Sequence, residues 1–507
     1  MGKIGDKMID DLLLFCRSHK HIYLYGAGTL AGRYRAILEK FGQRVSGCFV
    51  SEGKDREWHG LPVFSFSKSA KILDSEDGII LALSENKHND VLNLLHRICS
   101  DVWKDSNENI NFLYNELVLI PLFHNVSTKC HHIINSLNDF KRILIIRTDV
   151  LGDLLMTIPF LRELKRNVPY AEIDLVIRES NEFLMRDCPY ISRLIIFTPS
   201  DFDEVDLYKL KQFSHENFLN RKYDAVFLPR VILVGRNYTE NDILGMLCGA
   251  KCRIGRMLAF NEDFNESLKQ EELYGMLQPF FTKLFWQKEP RHEVEYMLEM
   301  VKDCGGNILD DKLEYWLDDA SKRYADKCWH VHNIPAYAVC LAVGLVSKSP
   351  NRTWGAEHYA DFCRILHEYD SNIFFILLGG EDAKNHAKHL LCCPNIIDLT
   401  GKTQVNQAAA CIAKCKIYVG ANTGLMHLAA ALRKPVVEIS AWLPNGSPLH
   451  GIAPTRMGAW GVLMKLCQPE QGKDDCIGAC NKSYGHCINE ISSELVASNV
   501  ISLIESI

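Results

Sequence analysis

Hydrophobic positions in this chain fall into short apolar runs separated by amphipathic stretches, and the alternation repeats three times. An apolar run bounded by turn residues is the pattern of a strand buried on both faces, and apolar residues recurring every three or four positions mark a helix. The first cycle has a strand at His21–Tyr25, the turn Gly26-Ala27-Gly28-Thr29-Leu30-Ala31, a helix to Lys40, a strand at Arg44–Val50 and an apolar run at Gly78–Leu83. Pro121–Asn138, of mixed polarity, reads as a connector. The second cycle opens with a strand at Arg142–Arg147 and passes through Thr148-Asp149-Val150-Leu151-Gly152 into a helix at Asp153–Asn167, which Pro169 ends. Strands at Ile173–Ile177, Leu194–Phe197 and Ala225–Leu228 follow, and a helix at Glu293–Cys304 closes the unit.

The third cycle is the most regular. Strands at Tyr337–Val343, Ile373–Leu378, Ile396–Leu399, Ile417–Val419 and Val436–Ile439 alternate with helices at Ala356–His367, Asp382–Leu391, Gln404–Ala413 and Leu425–Leu432, and Ser492–Ile507 is an amphipathic helix. Such alternation predicts parallel sheets wrapped by helices. The expected architecture is α/β, with two Rossmann-like parallel-sheet units preceded by a third. Its expected divisions are an accessory unit at 1–122, a linker at 123–139, and paired units at 140–330 and 331–507.

Length agrees, since 507 residues at about 150 per domain give roughly three domains. Lys plus Arg number 57 against Asp plus Glu 63, a net charge of -6, so no overall positive field would hold the chain on nucleic acid. The polar start Met1-Gly2-Lys3-Ile4-Gly5-Asp6 lacks a signal-peptide core, and no apolar run has the length of a spanning helix. The 19 cysteines are odd in number and scattered through apolar segments, which suits reduced, buried thiols and a cytoplasmic location, with any membrane contact peripheral.

In open parallel sheets ligands lie beyond the carboxyl ends of the strands, so chemistry is sought in the turns that follow them. Gly420-Ala421-Asn422-Thr423-Gly424 leads into a helix carrying His427, where small residues and free N–H groups suit a diphosphate. An ordinary tight turn has the same composition. After the Val343 strand come Lys348, Arg352 and Trp354, and a guanidinium there could clamp a phosphate. After Leu378, Gly379-Gly380-Glu381 places a carboxylate where a ribose diol would sit, or where it only favours the helix start. In the second unit, Gly152-Asp153 opens a helix facing the cleft if the two sheets oppose each other. An Asp at a helix start is poised there either as a structural cap or as a base. Such a carboxylate, with an ordinary pKa of about 3.9 lowered further by the helix dipole, is expected to be weakly basic.

Together, Ile143–Asp153 followed by Thr157-Ile158-Pro159, with Arg352-Thr353-Trp354, Leu377–Glu381, Leu399–Thr403 and Gly420–His427, resemble the heptosyltransferases of glycosyltransferase family 9 over about residues 140–507. The resemblance implies a GT-B pair and an inverting single displacement that moves heptose or a similar sugar from a nucleotide-diphosphate donor. No cofactor is implied beyond that ADP-heptose-like co-substrate, and the acceptor is a lipid-linked or oligosaccharide glycan of the envelope. It further implies Asp153 as base, with Arg352, Glu381, Asn422, Thr423, Gly424 and His427 on the donor and Thr148, Asp149 and Gly152 on the acceptor side. The last helix is expected to cross back onto the second unit. Where the family carries Asp, this chain has Asn422, which removes a charge beside the donor sugar and leaves a catalytically impaired nucleotide-sugar-binding or scaffold protein as the alternative.

Through Gly26-Ala27-Gly28, Val45–Val50 and Gly60-Leu61-Pro62-Val63 the first unit resembles the Rossmann-like domain that precedes some envelope-sugar acyltransferases and methyltransferases, and Gly26, Gly28 and Ala31 match a dinucleotide turn. Ser51-Glu52 ends the second strand there, and an oxidoreductase centred on this turn would lack a catalytic partner. Cys467, Cys476, Cys480 and Cys487, near His486, put four thiols into one segment. Their spacing lacks the paired two-residue gaps of zinc ribbons, so no metal is expected.

Overall fold

A computed structural model describes residues 12–27, 29–40, 42–51, 56–66, 72–82, 110–112, 136–198, 207–218, 220–232, 240–258, 260–261, 266–267, 281–287, 289–473, 476, 478, 480 and 482–507. Each of the three cycles builds a six-stranded sheet. The first contains β1 (Ile22–Tyr25), β2 (Val45–Val50), β3 (Arg56–Trp58), β4 (Leu61–Ser65), β5 (Gly78–Leu81) and β6 (Ile110–Phe112), in the order β3-β4-β2-β1-β5-β6. Only β3 runs antiparallel to its neighbour. Helix α1 (Thr29–Lys40) follows β1, and Ala31 in its first turn is fully buried. Gly26 has φ 120° and closes the β1 turn through its N–H to Phe49 O, while Gly28 lies outside the described residues.

The second sheet contains β7 (Arg142–Arg147), β8 (Glu172–Arg178), β9 (Arg193–Phe197), β10 (Ala225–Ile232), β11 (Cys252–Leu258) and β12 (Lys283–Gln287), in the order β12-β11-β10-β7-β8-β9. The third contains β13 (Val339–Gly344), β14 (Ile373–Leu378), β15 (Ile396–Asp398), β16 (Ile417–Ala421), β17 (Val436–Ile439) and β18 (Met464–Cys467), in the order β15-β14-β13-β16-β17-β18. Both sheets are parallel throughout and doubly wound. Their strand order reverses between β7 and β10 and between β13 and β16, and such a switch point opens a crevice at the carboxyl ends of those strands.

The helices of the paired units include α2 (Leu151–Asn167), α3 (Glu293–Lys302), α4 (Asp319–Val331), α5 (Ala356–Tyr369), α6 (Val405–Lys414), α7 (Gly424–Ala431) and α8 (Ser493–Ser506). One apolar cluster runs through both sheets' facing helices, from Leu155 and Ile158 on α2 and Met297 on α3 to Ala409 on α6 and Leu428 on α7. Among the described residues no helix is long and apolar enough to cross a membrane. No disulfide joins the described cysteines, and all of them but Cys392 and Cys393 are buried.

Two expectations are corrected. Helix α8 does not cross to the second unit: Val496, Val500 and Leu503 enter the third unit's own core with Phe362 and Leu366 of α5. Its apolar stripe finds α5 and the β16–β18 surface already within reach, and Ser493 Oγ donates to His358 O at 2.9 Å. Helix α4, assigned to the second unit by a boundary at 330, packs on α6 of the third, where Lys414 pairs with Asp326 at 2.7 Å. The passage between units therefore comes before residue 319.

A buried ion cluster ties the units across their seam. Glu293, which starts α3, pairs with Arg256 of β11 and with Arg456 of the third unit, whose Nε donates to Oε1 at 3.0 Å. The three side chains are 0–3% exposed. Burial alone would raise the Glu293 pKa, but the two guanidinium groups outweigh it and hold it well below the usual carboxylate range. Next to it, His292 Nε2 meets Gly458 O at 3.0 Å and its ring stacks on Trp460 at 4.5 Å. Removing one partner of such a cluster strands buried charge, so Glu293→Gln is expected to destabilise the chain by about 3–5 kcal/mol in urea denaturation. Because the folded pKa is depressed, this contribution is full above the unfolded value of 4.5 and fades as pH falls below it. An unchanged urea midpoint at neutral pH in the variant would contradict this account.

Candidate active site

Both switch-point turns of the paired sheets end in helix starts, and the two starts touch. A side chain built on Gly152, in the first turn of α2, would lie 2.5 Å from His427 Cδ2 on α7, and one on Gly424 would lie 2.8 Å from Leu151 Cδ2. Only glycine allows this approach. It brings the turn after β7 and the turn after β16 into one crevice, with the positive ends of both helices adjacent.

Asp153 lies in the first turn of α2. Arg147, the last residue of β7, donates from Nη2 to its Oδ1 at 3.3 Å and also pairs with Asp149 at 3.2 Å, while Arg230 at the end of β10 holds Asp149 at 3.0 Å. About the Asp153 carboxylate, 24% remains open, yet protein crowds its other sides. That burial raises its pKa to about 6; Arg147 opposes the rise, and Asp149 and Glu293 add to it. The weakly basic carboxylate expected from helix position alone is thus corrected, because desolvation outweighs the dipole.

Thr148 is buried with its hydroxyl donating to Asn241 Oδ1 at 2.8 Å, and its carbonyl accepts from Arg178 Nε at 3.2 Å. Asn181 Nδ2 donates to Asp149 O at 2.9 Å. Thr148, expected on the acceptor side, therefore anchors the turn rather than lining the crevice. Asp149 is only 12% exposed and is held by its two arginines.

Across the seam, Thr423 is the extended N-cap residue of α7 and makes no side-chain cap to the helix amides. Asn422 Nδ2 donates to Met457 O at 2.6 Å and to Glu438 Oε1 at 3.3 Å. Glu438 is fully buried on β17, and burial lifts its pKa to about 7, with the Asn422 hydrogen bond opposing. His427, expected among the donor contacts, is 2% exposed and wedged against Gly152; burial, aided by nearby His292, lowers its pKa to about 3 and keeps it neutral. It serves the helix contact.

Arg352 ends the short turn Pro350–Arg352 beyond β13, half-buried, donating to Ser349 Oγ at 2.7 Å. Desolvation lowers its pKa, so an anionic partner would find it poorly hydrated. Trp354 is structural: its indole N–H donates to Ile491 O at 3.0 Å and its ring stacks on His358. Glu381 is exposed beyond β14 and pairs with Lys384 at 2.7 Å. Arg147, Arg230, Asn241, Glu293 and Glu438 escaped the sequence reading as site residues. Their signal is long-range, since each acts on a partner from another element.

Of the weighed cysteines, Cys467 lies apart, with its thiol accepting from Asn499 Nδ2 at 3.3 Å, whereas Cys476, Cys480 and Cys487 converge with His486. That corrects the grouping, because His486 rather than Cys467 completes it.

The profile of glycosyltransferase family 9 (heptosyltransferase) matches residues 278–441. Lipopolysaccharide heptosyltransferase 2 of Escherichia coli K12 is 22% identical over 308 residues, 59% of this chain and 82% of that protein. Lipopolysaccharide heptosyltransferase 1 of the same strain is 24% identical over 332 residues, 64% and 93% of the two chains. Among solved structures, a glycosyltransferase family 9 protein of Veillonella parvula superposes with TM-score 0.58 at 18% identity, covering 74% of this chain and all of that one. E. coli ADP-heptose LPS heptosyltransferase II gives 0.52 at 18% identity, covering 72% and 99%. The two facing doubly wound sheets are thus a GT-B fold, and over residues 278–441 the chain is similar to glycosyltransferase family 9 (heptosyltransferase).

Proposed function

We propose that this glycosyltransferase inverts the anomeric centre as it moves heptose, or a closely similar sugar, from an ADP-heptose-like donor to a lipopolysaccharide-core or related envelope glycan. One observation carries the reading: Asp153, with its pKa raised to about 6, opens a helix that abuts the uncapped start of α7 at Thr423 and Gly424. The diphosphate sits on the N–H groups at that start, where the helix's partial positive charge meets it. Arg352, poorly hydrated, takes a second phosphate oxygen, and Glu381 exchanges Lys384 for the ribose hydroxyls. As the bond to the diphosphate stretches, these groups stabilise the leaving charge while the sugar carbon becomes oxocarbenium-like. The acceptor hydroxyl attacks from the α2 side and gives its proton to Asp153, whose raised pKa makes it a better base than an ordinary carboxylate.

The relatives support the donor class, since they are lipopolysaccharide heptosyltransferases and one of them is an ADP-heptose LPS heptosyltransferase. The acceptor presents itself from the cytoplasmic membrane surface, which needs only peripheral contact. The second reading, a nucleotide-sugar-binding protein with an impaired site, draws on Asn422, whose amide is spent on Met457 and Glu438.

Asp153→Asn separates the two. On the enzyme reading, ADP binding by calorimetry stays unchanged while turnover with a cognate acceptor falls about a hundredfold to ten-thousandfold. The variant melts no lower than the parent, because it removes a carboxylate whose ionisation burial opposes. Equal turnover in parent and variant refutes the role. The pH profile provides an independent check: kcat/KM falls about tenfold per unit below pH 6, where Asp153 takes up a proton, and that acid limb is missing in the residual activity of Asp153→Asn.

A further inference from the structure

The segment between β18 and α8 gathers four ligand-type side chains. Cys476 Sγ and Cys480 Sγ each lie 3.8 Å from His486 Nδ1, and Cys487 Sγ lies 3.4 Å from it. All four ligand atoms fall within 4.8 Å of one another, and the residues are 0–7% exposed. A tetrahedral zinc ion, with Zn–S of about 2.3 Å and Zn–N of about 2.05 Å, sets sulfur and nitrogen about 3.6 Å apart. The observed separations bracket that value.

Packing alone gives this segment little reason to hold its shape. Its apolar cluster consists of Leu443 and the three cysteines themselves, and its one described helical piece is the short turn Cys487–Glu490. Donors also point at the sulfurs, as they do around thiolate ligands. The N–H of Lys473 donates to Cys487 Sγ at 3.5 Å, and the backbone amides of Cys487 and Lys482 donate to Cys480 Sγ. The three-residue gap between Cys476 and Cys480 departs from zinc-ribbon spacing, yet the fold closes the set by bringing in His486 and Cys487.

We propose that Cys476, Cys480, His486 and Cys487 bind one structural zinc ion, which locks this segment against the turn that carries Arg352. Three thiolates and an imidazole make a closed, soft donor set that suits zinc and leaves no position for substrate. The locked segment reaches the Arg352 turn directly: Asn351 Nδ2 donates to Cys480 O at 3.0 Å, and Gly355 N donates to Asn489 Oδ1 at 3.0 Å. On its other side Gly478 bridges Asn445 and Leu443, through Gly478 N to Asn445 Oδ1 and Leu443 N to Gly478 O, each at 3.1 Å.

Elemental analysis of the purified full chain, expressed with zinc chloride in the medium, tests this without reference to turnover. About one zinc per chain is expected, retained by Cys467→Ser and lost from Cys480→Ser and His486→Ala. If those variants fail to fold, the parent chain exchanged with cobalt answers instead, through the thiolate-to-cobalt and d–d absorption of a tetrahedral site. A metal-free chain, iron in place of zinc, a Cys476–Cys480 or Cys480–Cys487 disulfide in the unreduced protein, or equal zinc in His486→Ala overturns the proposal. Stripping the ion with a thiol reagent and chelator is expected to weaken ADP binding several-fold; this arm alone rests on the donor reading, and unchanged ADP affinity overturns the link to Arg352. Asp153→Asn leaves zinc content unaltered, so failure of the metal site and failure of the transferase reading are separable.

Discussion

Everything about the crevice follows from the approach of α2 to α7, in which Gly152 lies beneath the His427 ring and Gly424 beneath Leu151. A methyl group at either position would collide with the opposing side chain and force the two helix starts apart. At this spacing the positive ends of two helices share one opening, and the carboxylate in the first turn of α2 is desolvated by burial. Neutral His427 is what such a contact requires, since a charged ring buried there without a carboxylate would be costly.

The Glu293 cluster gives that approach its register. A buried ion triad adds little net stability over an apolar substitute, because desolvation consumes most of the Coulomb gain. Its value lies in direction: Arg256 comes from the second sheet, Arg456 from the third unit, and one carboxylate accepts from both. The charge reaches the crevice too, since Glu293 adds to the raised pKa of Asp153 while Arg147 restrains it. One electrostatic network therefore joins the seam between the units to the proposed base.

The β16 turn shows a related exchange of charge. Asn422 donates to buried Glu438, whose pKa of about 7 reflects its removal from water. An aspartate at position 422 would lose both donations and face a second carboxylate. The neutral side chain there fits its own surroundings, whatever its effect on the sugar.

The order of elements in the third unit, the strand and glycine turn of the first, and the β7–α2 passage were all legible in the sequence, because apolar runs and turn residues are local signals. So was the placement of Asp153, Arg352, Glu381 and the Thr423-Gly424 helix start in turns beyond the strands, which the parallel-sheet rule singles out, while their roles are those proposed above. Strands β11, β12 and β18 went unread, since Cys252–Leu258 carries two arginines and Lys283–Gln287 and Met464–Cys467 mix polar with apolar residues. Only tertiary structure decided that α8 stays on the third unit, that Thr148 and His427 are spent on packing, and that His486 rather than Cys467 joins the three thiols. The division has one physical cause. A sequence specifies which groups can form a strand, a cap or an ion pair, whereas desolvation, contact and the partner chosen depend on what the rest of the chain brings against them.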